Sequence, residues 1–223
     1  SLERALQECD SDTEAHVRRT QRMGAALGKR IGLTDKQQSS LSLLCLLHDI
    51  GKIGVPLDIL NKPGKLTDEE WNYIKTHVHK GYQIAKSSKG LNEISDMILH
   101  HHERWDGKGY PDGLKQEEIP LLSRIISVVD AFDAMVSNRS YRAAKSVDEA
   151  VAELERCSGT QFDPMLVKEF VPICRNMVGN VIPDEEKVRM PADVVAEKSR
   201  AMKSKFNGTE HNVHAVVYSH YVL

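Results

Sequence analysis

Residues 34–52 read TDKQQSSLSLLCLLHDIGK, and this stretch decides how the chain folds. Thr34 and Gln37 have the spacing of a capping box, which predicts the start of a helix. The helix runs into the apolar segment Leu41–Leu47, and His48 and Asp49 follow directly. Two side chains that can bind a metal therefore stand where a buried helix ends. At such a last turn we expect both to face one cavity.

The rest of the chain predicts an all-α fold, a bundle of helices. Apolar residues recur at every third or fourth position and almost nowhere alternate strictly. A second capping box lies at Thr67–Glu70. Further helices are predicted near 15–30, 68–87, 91–104, 120–137, 147–156 and 164–177. A composition shift at 181–191 predicts one domain over residues 1–180 and a C-terminal tail over 181–223, with one helix and a less defined segment.

The composition describes a chain with one sizeable core. Its 223 residues are 40% hydrophobic, and 30 Lys and Arg against 32 Asp and Glu leave a formal charge of −2. No overall positive field exists to hold DNA, so DNA is not an expected partner. The longest apolar stretch, Leu43–Leu47, is far shorter than the roughly 20 residues of a membrane-spanning helix. Four cysteines without a Cys-x-x-Cys pair predict a reducing, cytoplasmic location.

Histidines and carboxylates supply the candidate chemistry. A lone His-Asp pair occurs often by chance, and by itself it favours a hydrogen-bonded core histidine. Other candidate ligands lie in helical segments: His16, His77, His101, His102 and Asp130. Asp130 lies inside the apolar segment Ile125–Met135, where a carboxylate is costly to bury without a cation or hydrogen bonds. Imidazole and carboxylate together suit manganese, iron, cobalt or zinc.

Six motifs follow one another along the chain: HDIGK at 48–52, HHE at 101–103, DGKGYP at 106–111, DAFDA at 130–134, NRSYR at 138–142 and GTQFDP at 159–164. In this order and spacing they resemble the HD-GYP family, a branch of the HD metal-dependent phosphohydrolases. The resemblance spans about residues 10–175. It implies a helical bundle around a metal centre that hydrolyses cyclic di-GMP to pGpG, and in many members on to GMP, by attack of a metal-bridging hydroxide.

The resemblance also implies roles for individual residues. Carried over by position, the metal ligands are His16, His48, Asp49, His77, His101, His102 and Asp130. Asp49, between two ions, and Lys52, near the scissile phosphate, are the catalytic positions. Lys52, Arg139 and Arg142 match positions that hold the substrate. Members with three ions carry a glutamate where this chain has Asp12, so we expect two divalent ions, iron or manganese, with a third ion through Asp12 as the alternative.

The glycine-rich loop that begins at Asp106 has two open interpretations. It is either a tight turn that holds Tyr110 against the core or a docking surface. In the family this loop is associated with partner domains, and the residues implied are Gly109, Tyr110 and Pro111, with a diguanylate cyclase (GGDEF) domain as partner. We expect Gly109→Ala to alter partner binding more than metal binding. Glu103 and Asp106 are expected to orient ligand histidines.

Three hypotheses for function stay open. The chain hydrolyses cyclic di-GMP, or it hydrolyses another cyclic dinucleotide such as cyclic GMP-AMP, or it binds cyclic di-GMP without cleaving it and acts in signalling. The complete ligand set and Lys52 favour catalysis. We further expect an upstream sensory or receiver domain in the full-length protein, no membrane contact by this segment, and a homodimer.

Overall fold

The computed structural model of the chain describes residues 11–60, 62, 64–137 and 144–179. Within them the backbone forms nine α-helices and no strand, so the all-α prediction is confirmed. The helices are α1 (Ser11–Arg30), α2 (Asp35–Leu47), α3 (Leu57–Leu60), α4 (Asp68–Lys75), α5 (His77–Lys86), α6 (Ser95–Leu99), α7 (Leu121–Val136), α8 (Val147–Arg156) and α9 (Pro164–Gly179). Three 3-10 helices, Ile50–Gly54, Asn92–Ile94 and Gln116–Glu118, connect them.

Local sequence fixes three of the helix starts. The hydroxyls of Thr34 and Thr67 accept hydrogen bonds from the amides of Gln37 and Glu70, which confirms both predicted capping boxes. Ser146 begins α8 in the same way. Each cap satisfies amides that a helix start leaves without an intrahelical acceptor, and such a cap contributes about 1 kcal/mol.

Two predicted helices are shorter than expected. The helix predicted over 68–87 is divided at Thr76, because the Thr76 amide and hydroxyl both donate to the Tyr73 carbonyl, at 3.1 and 2.6 Å, and tighten the turn. The helix predicted over 91–104 ends at Leu99, where the His100 amide bonds to Asp96 and the chain continues in turns. Both breaks occur beside candidate ligands, and the periodicity of apolar residues does not reveal them.

The central helix of the bundle is α7. Thirteen of its sixteen residues are buried, and α1, α2, α8 and α9 pack around it. The core contains large apolar side chains from all of these helices, among them Met23, Leu44, Ile125 and Phe170. Because α7 is enclosed on every side, its two carboxylates, Asp130 and Asp133, are buried with it.

Among the described helices none combines the length and the apolar character that crossing a bilayer requires. The predicted division between a domain over 1–180 and a tail over 181–223 stays a prediction, since residues 180–223 lie outside the described part of the chain.

Candidate metal centre

The end of α2 places His48 and Asp49 at the middle of the fold. His48 caps α2, and the chain turns at once into the 3-10 helix Ile50–Gly54. On a regular α-helix two adjacent side chains diverge by about 100°. The change of helix type brings them together, and Nε2 of His48 lies 3.4 Å from Oδ2 of Asp49. Both side chains reach one region, as the sequence predicted.

Gly51 brings this segment against α5. A Cβ atom at Gly51 would lie less than 3.0 Å from backbone atoms of His77 and Gly81, so a larger residue would push the two segments apart. The close approach leaves Oδ1 of Asp49 only 3.5 Å from Nε2 of His77. The glycine of the HDIGK motif therefore joins candidate ligands from two different segments.

His101 and His102 complete one group of candidate ligands. Because α6 ends at Leu99, these neighbours lie in a turn, and their ring centroids are 4.0 Å apart. Nε2 of His101 lies 3.5 Å from Nε2 of His77 and 3.9 Å from Oδ1 of Asp49. Asp49, His77, His101 and His102 thus offer ligand atoms within 4.8 Å of one another.

A second group forms between α1 and α7. Nε2 of His16 lies 3.4 Å from Oδ1 of Asp130, and His48 contributes the third ligand atom within 4.8 Å. The His48–Asp49 contact joins this group to the first. The structure therefore brings together all seven residues that the resemblance implies as ligands.

Backbone carbonyls determine which ring nitrogen faces the centre. Three histidines share one arrangement, in which Nδ1 lies 2.6–3.2 Å from the carbonyl oxygen of the residue three positions earlier: His48 on Cys45, His77 on Ile74 and His101 on Ile98. A carbonyl only accepts, so each Nδ1 carries a proton, and Nε2 of the neutral ring is the nitrogen that offers a lone pair. That lone pair is what a metal ion needs.

Burial sets the protonation of the first group. It lowers the pKa of His77 to about 4 and holds the pKa values of His101 and His102 well below the usual range. Burial alone would raise the pKa of Asp49, but Lys52 and His48 outweigh it and the pKa falls well below its ordinary value. Neutral imidazoles beside an ionised carboxylate are the ligand forms that metals bind.

The second group also fits a cation. Burial lowers the pKa of His48, but the charges of Asp49 and Asp130 outweigh it and raise the pKa, so positive charge is favoured there. Within the described part of the chain, Nε2 of His48 and Oδ1 of Asp130 are buried and make no hydrogen bond. A buried polar atom without a partner costs about 1–3 kcal/mol. A divalent ion would satisfy both atoms, so the residues fit a metal.

Lys52 and Tyr110 border the cluster. Nζ of Lys52 donates to Oδ2 of Asp49 at 2.6 Å. The Tyr110 ring stacks on His102, with centroids 4.9 Å apart and planes 27° from parallel, and Trp71 meets its edge. Tyr110 of the glycine-rich loop thus packs against a candidate ligand.

Gly109 has a structural role in this loop. A Cβ atom there would lie less than 3.0 Å from backbone atoms of His102, Glu103 and Arg104. Only a residue without a side chain allows the loop to lie so close. This contact supports the interpretation of a tight turn and links Gly109 to the ligand turn. The expected effect on partner binding stays a prediction.

The predicted roles of Glu103 and Asp106 are wrong. Oε1 of Glu103 accepts from the amides of Asp112 and Gly113, at 2.7 and 3.0 Å. Asp106 accepts from the Arg104 guanidinium and from the Lys108 amide. Neither carboxylate bonds to a histidine in these contacts. Both shape the loop, and the loop in turn positions His102 through Tyr110.

Some predicted site residues lie outside the described part of the chain. Arg139 and Arg142 are in the undescribed segment 138–143, and Asp12 belongs to α1 but its side chain is not described.

The sequence analysis did not identify one buried carboxylate of the site, that of Asp133. Asp133 is 1% exposed and bonds to His16. In the sequence, Asp130 was identified from the cost of burying a charge. The same argument applies to Asp133, one turn later on α7, and would have identified it as well.

A helical bundle whose core encloses histidines and aspartates, from α1, α5, α7 and the end of α2, defines a protein of the HD-domain class. A family profile described as "HD domain" matches residues 2–166, and the chain belongs to this family. The resemblance to the HD-GYP branch is confirmed by curated relatives. One is "Cyclic di-GMP phosphodiesterase" of Thermotoga maritima, 40% identical over 74% of this chain and 45% of that protein.

Two further proteins show the range of the family. "3'3'-cGAMP-specific phosphodiesterase 2" of Vibrio cholerae is 35% identical over 75% of this chain and 33% of its own length. A solved cyclic GMP-AMP-specific phosphodiesterase of V. cholerae has the same fold, with a TM-score of 0.59 and 21% identity over 86% of this chain and 55% of that one. The chain spans less than half the length of the two curated relatives.

Proposed function

We propose that this chain is a metal-dependent phosphodiesterase that hydrolyses cyclic di-GMP to pGpG, with further hydrolysis of pGpG to GMP as an open second step. The observation that carries the proposal is the pair of adjacent ligand groups, joined where His48 and Asp49 are 3.4 Å apart. Two adjacent ligand sets suit two divalent ions, the arrangement used for in-line attack on phosphodiesters. The name of the T. maritima relative supports the substrate.

The ligands would be the seven residues that the structure brings together: His16, His48, Asp49, His77, His101, His102 and Asp130. Asp49 would lie between the ions, since its two oxygens face different histidines, His48 at 3.4 Å and His77 at 3.5 Å. When bound, the ions would lower the pKa of water toward neutrality and neutralise charge on the phosphate. The proposed metal is iron or manganese, and the proposed number of ions is two. In the alternative with three ions, Asp12 would be a ligand of the third.

The remaining residues act on the substrate. The Lys52 ammonium, held 2.6 Å from Asp49, places a positive charge beside the phosphate and stabilises negative charge that develops during cleavage. Tyr110 fixes the His102 ring by stacking and forms part of the wall of the centre. Arg139 and Arg142 would hold the phosphates of the dinucleotide, a role supported by the NRSYR motif alone.

A second candidate substrate is cyclic GMP-AMP, favoured by the name of the V. cholerae relative. A cyclic dinucleotide of either kind has the same two phosphodiesters, and the ligand groups do not distinguish between the bases. A module that binds cyclic di-GMP without cleaving it is the alternative outside catalysis. Association with a GGDEF domain through Gly109, Tyr110 and Pro111, an upstream sensory or receiver domain, a homodimer and a cytoplasmic location also stay predictions.

Product analysis tests the proposal. The chain, loaded anaerobically with Fe²⁺ or with Mn²⁺, is incubated separately with cyclic di-GMP, cyclic GMP-AMP and pGpG, and the products are separated by chromatography. We expect pGpG from cyclic di-GMP, with GMP as the product if the second step occurs, and no turnover by Asp49→Asn. Asp58→Asn makes the same chemical change at an exposed position in α3 and is expected to leave turnover unchanged. Metal binding with intact cyclic di-GMP as the only nucleotide would contradict the proposal.

A further inference from the structure

A largely buried network that includes part of the second ligand group connects α1 to α7. His16 and Arg19 are three residues apart on α1, and Asp130 and Asp133 are three residues apart on α7. At this spacing each pair lies on one face of its helix. The two faces meet, so His16 lies between two carboxylates, with Asp130 on its Nε2 side and Asp133 on its Nδ1 side.

Asp133 holds the Nδ1 side of His16 in a fixed position. Nδ1 of His16 lies 2.8 Å from Oδ2 of Asp133. The Arg19 guanidinium donates two hydrogen bonds to the same carboxylate, from Nε to Oδ1 at 2.5 Å and from Nη2 to Oδ2 at 3.0 Å. Both oxygens of Asp133 are therefore engaged by nitrogen donors, which sets Asp133 apart from the residues that offer an atom to the ligand groups.

The network determines the tautomer of His16. Three other histidines of the centre, His48, His77 and His101, direct Nδ1 at backbone carbonyls of their own segment. Nδ1 of His16 is instead within hydrogen-bond distance of a side chain 117 residues away, that of Asp133. An ionised carboxylate only accepts, so Asp133 keeps a proton on Nδ1, and Nε2, on the Asp130 side, is the nitrogen that would bind an ion.

From these contacts we infer that Asp133, clamped by Arg19, is a positioning residue that orients His16 for the metal. The inference rests on the proposed metal centre. Asp133 belongs to neither of the two ligand groups. Residues that orient a ligand in this way change metal affinity by about 10- to 100-fold when they are replaced.

The test compares two buried aspartates that are each paired with an arginine. Asp133→Asn removes the charge that orients His16. Asp163→Asn makes the same change at the start of α9, where Arg124 lies 2.6 Å from Asp163 and no candidate ligand is bonded. Binding of Mn²⁺ alone is measured from the EPR signal of the free ion, and circular dichroism of the metal-free variants reports folding.

We expect Asp133→Asn to weaken one Mn²⁺ site by about 10- to 100-fold and Asp163→Asn to leave both sites unchanged. In a His16→Ala background, Asp133→Asn should cause no further loss, because it acts through His16. A second readout is the tautomer itself. The ¹⁵N chemical shifts of His16 in the metal-free protein, assigned with His16→Gln, should show a proton on Nδ1 in the wild type and a mixture of tautomers in Asp133→Asn.

Wild-type Mn²⁺ affinity in folded Asp133→Asn, or an equal loss when His16 is already absent, would overturn the inference. If Asp133→Asn does not fold, Arg19→Leu loosens the same carboxylate from a more exposed position, and wild-type Mn²⁺ affinity in that variant would overturn it too. A wild-type chain that binds no Mn²⁺ would instead contradict the proposed metal centre. The two failures are therefore distinguishable.

Discussion

Gly109→Ala is expected to destabilise the chain and to weaken its metal site without any partner present. The added Cβ atom would lie less than 3.0 Å from backbone atoms of His102, Glu103 and Arg104. A change of side-chain rotamer cannot relieve a contact with backbone, so the loop or the ligand turn has to move. The His102 carbonyl, which accepts from the Tyr110 amide at 3.3 Å, belongs to the backbone that this movement would displace.

The size of the effect follows from two opposing contributions. Overpacking of a close-packed contact costs about 1–3 kcal/mol, and a contact with backbone belongs at the upper end. Replacing glycine by alanine returns about 0.4–1 kcal/mol by restricting the unfolded chain. The net loss in the free energy of unfolding is about 2 kcal/mol, which corresponds to a decrease in Tm of about 4–8 °C for a chain of this size.

Urea unfolding in EDTA measures the stability of metal-free Gly109→Ala, and Mn²⁺ titration measures the affinity of its metal site. Gly24→Ala is the matched control, because its Cβ atom would meet Cys45 at an ordinary 3.4 Å within a helix. Alanine is the better helix former, so this variant should be neutral or more stable. Wild-type stability and Mn²⁺ affinity in Gly109→Ala, with a defect only in binding a GGDEF domain, would refute the structural role.

Three other results are expected. Lys52→Ala should keep its metal content, measured by elemental analysis, and lose about 10²- to 10³-fold in turnover, because the ammonium acts on charge that develops during cleavage; full turnover would exclude this role. Mn²⁺ at 100 times its Kd should stabilise the fold by about 2.7 kcal/mol per ion in thermal unfolding, and an unchanged Tm would contradict binding to the folded state. Burial raises the pKa values of Cys45 and Cys174 to about 12. Both thiols should therefore resist iodoacetamide at pH 8 until urea is added, as mapped by mass spectrometry, and rapid labelling in the native state would contradict their burial.

Sequence alone could predict the features that depend on short segments. The capping boxes at Thr34 and Thr67 identify helix starts because a hydroxyl three residues before an amide makes the same local contact in any fold. Apolar periodicity identifies the helices of the core for a similar reason. Asp130 is conspicuous because a charge within an apolar helix requires a partner.

Other features depend on contacts that no local pattern records. The divisions at Thr76 and after Leu99 arise where the chain leaves a regular helix beside ligands, although the apolar pattern continues. The network of Asp133 and Arg19 joins residues more than a hundred positions apart. The role of Gly109 depends on the backbone that lies beneath it, and the sequence left that role open between a turn and a docking surface.

The placement of Asp130 and Asp133 on α7 has a consequence for biosynthesis. His16 leaves the ribosome 117 residues before the carboxylate that orients it. At about 5–20 residues per second, roughly 6–23 seconds separate the two. A nascent chain that ends before α7 carries imidazoles but lacks Asp130, which completes the second ligand group, and Asp133, which orients His16. In the proposed metal centre, the full complement of ions can therefore bind only after the central helix has been translated, which would distinguish finished domains from interrupted ones.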